Sequence, residues 1–91
     1  MENLGSPISY MVLERGVAVF SSDGERLGSV VSVERDLATD IFDGIIFAAE
    51  VHFAGRRFVD APEVGEIYER GVILRIDATA AAALPERGRF A

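Results

Sequence analysis

Short apolar segments separated by polar turns organise this chain. Residues 17–20, 27–34, 44–53, 57–60, 66–68 and 72–76 are rich in β-branched and aromatic side chains, which suit the pleated, half-buried surface of a strand. Between them the turn formers Ser22-Asp23-Gly24, the stretch 36–43, Ala54-Gly55-Arg56 and Glu69-Arg70-Gly71 recur at intervals of about ten residues. This spacing predicts an all-β meander of five or six short antiparallel strands.

Alternation assigns faces to these strands. In 44–53, Ile45, Phe47, Ala49, Val51 and Phe53 share the core side, while Gly44, Ile46, Ala48, Glu50 and His52 share the outer side. Val72, Leu74 and Ile76 alternate with Ile73 and Arg75, so Arg75 points outward. Val30 and Val31 break the alternation of 27–33, which requires either two covered faces or a bulge. Asp23-Gly24 carries the signature of a two-residue hairpin turn, with glycine supplying the positive φ.

Character changes near both ends. Asp77 precedes an alanine run closed by Pro85, the pattern of one short capped helix whose small side chains let it plug an open end of a sheet. Residues 1–13 form an N-terminal segment apolar enough to dock on the domain, 14–84 the domain itself, and 85–91 a loose tail. The tetrapeptide Glu-Arg-Gly-Val occurs at 14–17 and again at 69–72, each time before a strand. Nothing around the two copies aligns, so they read as similar turns rather than as a duplication.

Composition narrows the class. The chain has 91 residues, about half of them hydrophobic, which fits a single domain with one modest core. At this size self-association would protect surface that the core cannot bury, so a homo-oligomer is expected. With no cysteine there are no disulfides or thiolate metal sites, as suits a cytoplasmic protein. Residues 1–7 lack the basic and apolar regions of an export signal, and no apolar run approaches the ~20 residues that span a bilayer. The net charge is −6 and all nine basic residues are arginine, which disfavours general binding to nucleic acid or anionic lipid.

Candidate chemistry is sparse. His52 is the only histidine and falls on the outer face near Glu50, where it reads as a solvated surface residue. Ser6, Ser9, Ser21, Ser22, Ser29 and Ser32 all lie outside any G-x-S-x-G elbow. Asp36, Asp40 and Asp43 crowd one loop but lack calcium-loop spacing; Asp40 and Asp43 read as acceptors for loop amides. Phosphate-loop and dinucleotide motifs are missing, so Gly24 and Gly28 read as turn and close-packing glycines. Arg56-Arg57 with Phe53 and Phe58 has the composition of a small nucleic-acid patch, although strand alternation turns such aromatics into the core.

Two groups of residues resemble one family. Gly16-Val17 with Asp23-Gly24-Glu25-Arg26-Leu27-Gly28-Ser29-Val30 is similar to the opening hairpin of PRC-barrel domains. Asp40-Ile41-Phe42-Asp43-Gly44-Ile45, followed by Arg57-Phe58-Val59-Asp60-Ala61-Pro62-Glu63-Val64-Gly65-Glu66-Ile67, resembles the small stand-alone bacterial members. The resemblance covers roughly residues 7–84 and implies a small, partly open β-barrel with no catalytic, cofactor or metal residues to carry over. It implies an interaction or scaffold module that contacts a protein partner or itself. An accessory role in RNA processing or ribosome assembly is the alternative, because a related barrel ends a ribosome-maturation factor. A ligand-binding barrel or small enzyme using His52 and Glu50 is the third reading.

Overall fold

The computed structural model describes residues 3–51 and 53–86. Six strands form one sheet: β1 (Ala18–Phe20), β2 (Arg26–Asp36), β3 (Ile41–Ala49), β4 (Gly55–Asp60), β5 (Val64–Tyr68) and β6 (Gly71–Leu74). One helix, α1 (Ala78–Ala82), follows, and no helix among the described residues is long and apolar enough to cross a membrane. The spatial order is β4-β3-β2-β1-β6-β5. Neighbours pair antiparallel except β1 and β6, which run parallel with Val19 beside Val72. The all-antiparallel expectation is therefore corrected. A parallel pair needs a long crossover, and here that crossover is the rest of the sheet, which local turn signals do not reveal.

This topology forces the sheet to roll. β4 and β5 are its two outermost strands, yet only the 3-10 helical turn Ala61–Glu63 separates them in sequence. Extended chain reaches about 14 Å over those four Cα steps, whereas the five strand spacings of a flat sheet would separate the edges by about 24 Å. The sheet curls until its edges approach, but β4 and β5 do not pair, leaving a partly open barrel. Inside it Val19, Leu27, Val30, Ile45, Phe47, Val59, Val72 and Leu74 are essentially inaccessible. Ala81 of α1 is buried against this cluster, with Ala78 and Leu84 alongside, as expected of a small-residue plug. Asp77 caps the helix by accepting from the Ala80 amide at 2.8 Å.

Departures from ideal strands shape the curl. The Val30-Val31 break is a bulge: Val30 faces Phe47 and Ser32 faces Ile46, leaving Val31 unpaired. A second irregularity near Glu34 and Arg35 bends the same long β2–β3 arm. The turn at Asp23-Gly24 uses three residues, not two. Ser21 and Glu25 close it, with the Gly24 amide on the Ser21 carbonyl at 3.0 Å and Gly24 at φ 85°. A type I turn followed by a left-handed glycine suits such loops. The two-residue hairpin of this fold is instead Glu69-Arg70, between paired Tyr68 and Gly71. β3 stops at Ala49, so Val51 is 57% exposed and does not continue the core face as alternation suggests.

Both chain ends cover sheet edges. The Ile8 amide donates to Ile67 O, Glu69 N to Ser6 O and Arg70 N to Leu4 O, so the N-terminal segment lies along β5 while Leu4 packs over Gly71. At the opposite edge Phe58 N donates to Pro85 O at 3.1 Å and Glu86 bridges Arg57. Residues 85 and 86 are thus held against β4 rather than forming a loose tail; residues 87–91 lie outside the described residues. Covering edges in this way blocks unwanted strand addition.

A close approach at Gly28 gives the first testable consequence. A Cβ at this position would overlap the Ala48 carbonyl of the paired strand. Gly28→Ala should therefore destabilise the fold by roughly 1–3 kcal/mol through overpacking, measured by urea unfolding, whereas an unstrained strand glycine would gain stability on the same change.

Candidate interaction surface

One end of the roll is built by the N-terminal segment and the tip of the β2–β3 arm. Ser9 caps a 3-10 helical turn, Tyr10–Val12, by accepting from Met11 N at 3.1 Å, and Leu13 then drops into the core. The Tyr10 ring stacks on Phe42 of β3, with centroids 4.6 Å apart and planes at 16°. Its hydroxyl donates to Asp40 O at 2.8 Å. Between these elements lies a small cavity lined by Tyr10, Met11, Leu13, Val33 and Arg35.

Exposure is concentrated here. Met11 is 58% exposed, Val12 60%, Leu37 85% and Ile41 61%; Val51 is the one other exposed large hydrophobic among the described residues. Isolated surface apolar residues need no explanation, but four of these five lie on two elements that a ring stack and a hydrogen bond pin together. Sequence reasoning placed Met11 and Val12 in a docking segment and did not single out Leu37 or Ile41. Their signal was available: bulky apolar residues beside the charged turn 36–40 have no core to enter.

The aspartates support this tip individually. Asp36 accepts from the amides of Ala38 and Thr39 at 2.9 and 3.4 Å, taking the role expected of Asp40 and Asp43. Asp40 stands at φ 59° and pairs with Arg35 at 3.3 Å, while Asp43 lies within β3. Half of the stretch 36–43 is strand, because β2 runs to Asp36 and β3 begins at Ile41, leaving a four-residue turn at 37–40. Among the described residues no three potential metal-ligating side chains gather.

Other candidates fall elsewhere. His52 lies outside the described residues; Glu50 pairs with Arg26 at 3.5 Å and accepts from the Ser29 hydroxyl at 3.4 Å. Ser21 is fully buried, donates to the Asp23 carboxylate and accepts from Glu25 N at 3.1 Å, so its hydroxyl organises the hairpin. Gly24 and Gly28 are turn and packing residues, as read from sequence. Phe53 packs against the core edge-on to Phe47, but Phe58 does not; it lies beside Ile46 and over Gly44 on the other face.

Arg57 is a structural tie that sequence composition disguised as half of a basic pair. Its guanidinium donates to Ala82 O and Leu84 O at 3.2 and 2.8 Å, and to Ala54 O at 3.1–3.3 Å, and sits 5.2 Å from the Phe53 ring centre. Carbonyls at a helix C-terminus lack intrahelical donors, and a planar five-donor fork satisfies several together. The parity of Arg57 with core residue Val59 was the sequence clue.

Two measurements follow from these contacts. Arg57→Ala should lower unfolding stability by about 2–3 kcal/mol, with Arg57→Lys recovering only part, because charge-assisted bonds to three carbonyls are lost together. Tyr68 donates to Glu66 Oε2 at 3.0 Å, and this bond, then partial desolvation and the carboxylate's charge, raise its pKa above the ordinary 10.0. The folded chain holds the phenol proton longer than the unfolded one, so this contribution is present below pH ~10 and lost as pH rises through the folded value. Ultraviolet titration should show Glu66→Gln lowering the Tyr68 transition; an unchanged transition would contradict the assignment.

No protein-family model matches the chain, and no curated protein matches it.

Proposed function

We propose that this chain is a PRC-barrel-like, non-enzymatic interaction module of the bacterial cytoplasm that acts through protein–protein contacts at its apolar end. The observation carrying this reading is the concentration of Met11, Val12, Leu37 and Ile41 on two pinned elements. Rigid apolar surface binds with little ordering cost, and the Tyr10–Phe42 stack fixes this one in advance. The order of turns and strands suits the barrel that the family resemblance implies. Because residues 4–8 and 85–86 already lie on the two sheet edges, the end of the roll is favoured over edge pairing as the contact. Ser21 serves the hairpin, and Glu50 is tied to Arg26 and Ser29, which favours contact over catalysis.

Photo-crosslinking in the producing cells tests this. A crosslinking side chain at Leu37 should capture a second protein, one at Thr79 on the exposed face of α1 should not, and Met11→Ser with Ile41→Ser should abolish the adduct. Since both residues are exposed, that double variant should stay within about 0.5 kcal/mol per site of parental stability. Equal capture from Thr79, or none from Leu37, would refute the reading.

A further inference from the structure

The two Glu-Arg-Gly-Val segments, distant in sequence, meet in the fold. β1 and β6 run parallel with Ala18 beside Gly71, so the turns preceding both strands open at the same end of the sheet. There Glu14, Arg15, Gly16, Glu69 and Arg70, with Arg26 from β2, line an open groove of ≈ 450 Å³. Arg26 is engaged by Glu50. The remaining four side chains carry two charges of each sign, a balanced surface on a chain whose net charge is −6.

Their commitments differ. Glu69 accepts from Ser6 N at 3.0 Å, and Arg70 donates to Asn3 O at 3.4 Å, so these two are held by the N-terminal segment. Glu14 and Arg15 are exposed and make no side-chain bond among the described residues. Nothing stands within 4 Å of where a Cβ on Gly16 would be, leaving room above that backbone for a long side chain.

We infer that this groove is the contact between two copies of the chain related by a two-fold axis. A two-fold interface joins one patch to itself, so the patch must complement its own charge pattern. A patch of two glutamates and two arginines meets that condition, and two copies of an acidic chain repel one another over most other surfaces. Arg15 of each copy enters the space above Gly16 of the other and faces its glutamates. The inference rests on the interaction-module reading and names the chain itself as one partner.

Sedimentation equilibrium of the full chain tests it with a charge swap. The parent should dimerise, more weakly as salt rises. Arg15→Glu and Glu14→Arg should each weaken the dimer at least about tenfold by placing like charges together, and an equimolar mixture of the two should restore it. That rescue also shows that both variants are folded. A parent that stays monomeric, a dimer equally tight in both variants, or a mixture that fails to associate would overturn the inference. A monomer that still gives the Leu37 crosslink overturns this inference alone; loss of both dimer and crosslink overturns the module reading with it.

Discussion

The parallel pairing of β1 with β6 is the constraint on which the rest of the structure depends. It anchors the β5–β6 hairpin to the far side of the β1–β4 sheet, while the turn Ala61–Glu63 anchors the same hairpin to β4. Held at both places, the sheet has to roll, and rolling creates the interior that Phe47, Leu27, Ile45 and Val72 fill. Small size makes this closure necessary: a flat sheet of six short strands would leave one face of those residues in water. The same pairing decides which loops become neighbours, and so gathers the two Glu-Arg-Gly-Val turns into one groove.

Local features were legible in the sequence where one residue type answers one local demand. The alternation of Val72, Leu74 and Ile76 against Arg75 gave the correct faces, adjacent Val30 and Val31 marked a bulge, and Asp77 before an alanine run marked the helix start. What escaped reading depends on long-range geometry. Nothing in 18–20 or 71–74 distinguishes a parallel neighbour from an antiparallel one, because both favour the same side chains. Val51 looked like a core position because parity continues past Ala49, but the chain leaves the sheet there. Arg57 looked like half of a basic pair because two of its three acceptors, Ala82 O and Leu84 O, come from 25 and 27 residues further along.

Function is legible only as a division of surface. Edges that could accept a strand are covered by the chain's own ends: residues 4–8 on β5, and Pro85 with Glu86 on β4. Arg57 holds the second of these by binding the carbonyls that lead into it. Covered edges leave the loops for contact, and antiparallel β1 and β2 bring the 37–40 turn to the same end of the sheet as residues 14–16 and 69–70. Two patches there differ in chemistry: one is apolar and lies on elements pinned by Tyr10 on Phe42; the other is charged, balanced in sign and open above Gly16. Such a division suits a module that meets itself and another protein at different places.

The central claim is the parallel join between β1 and β6, and through-space proton contacts measured by nuclear magnetic resonance test it most directly. The account predicts contacts between the backbones of 18–20 and 71–73 in parallel register, with Val19 beside Val72. An antiparallel pattern between these strands, or a β5–β6 hairpin with no contact to β1, would contradict it.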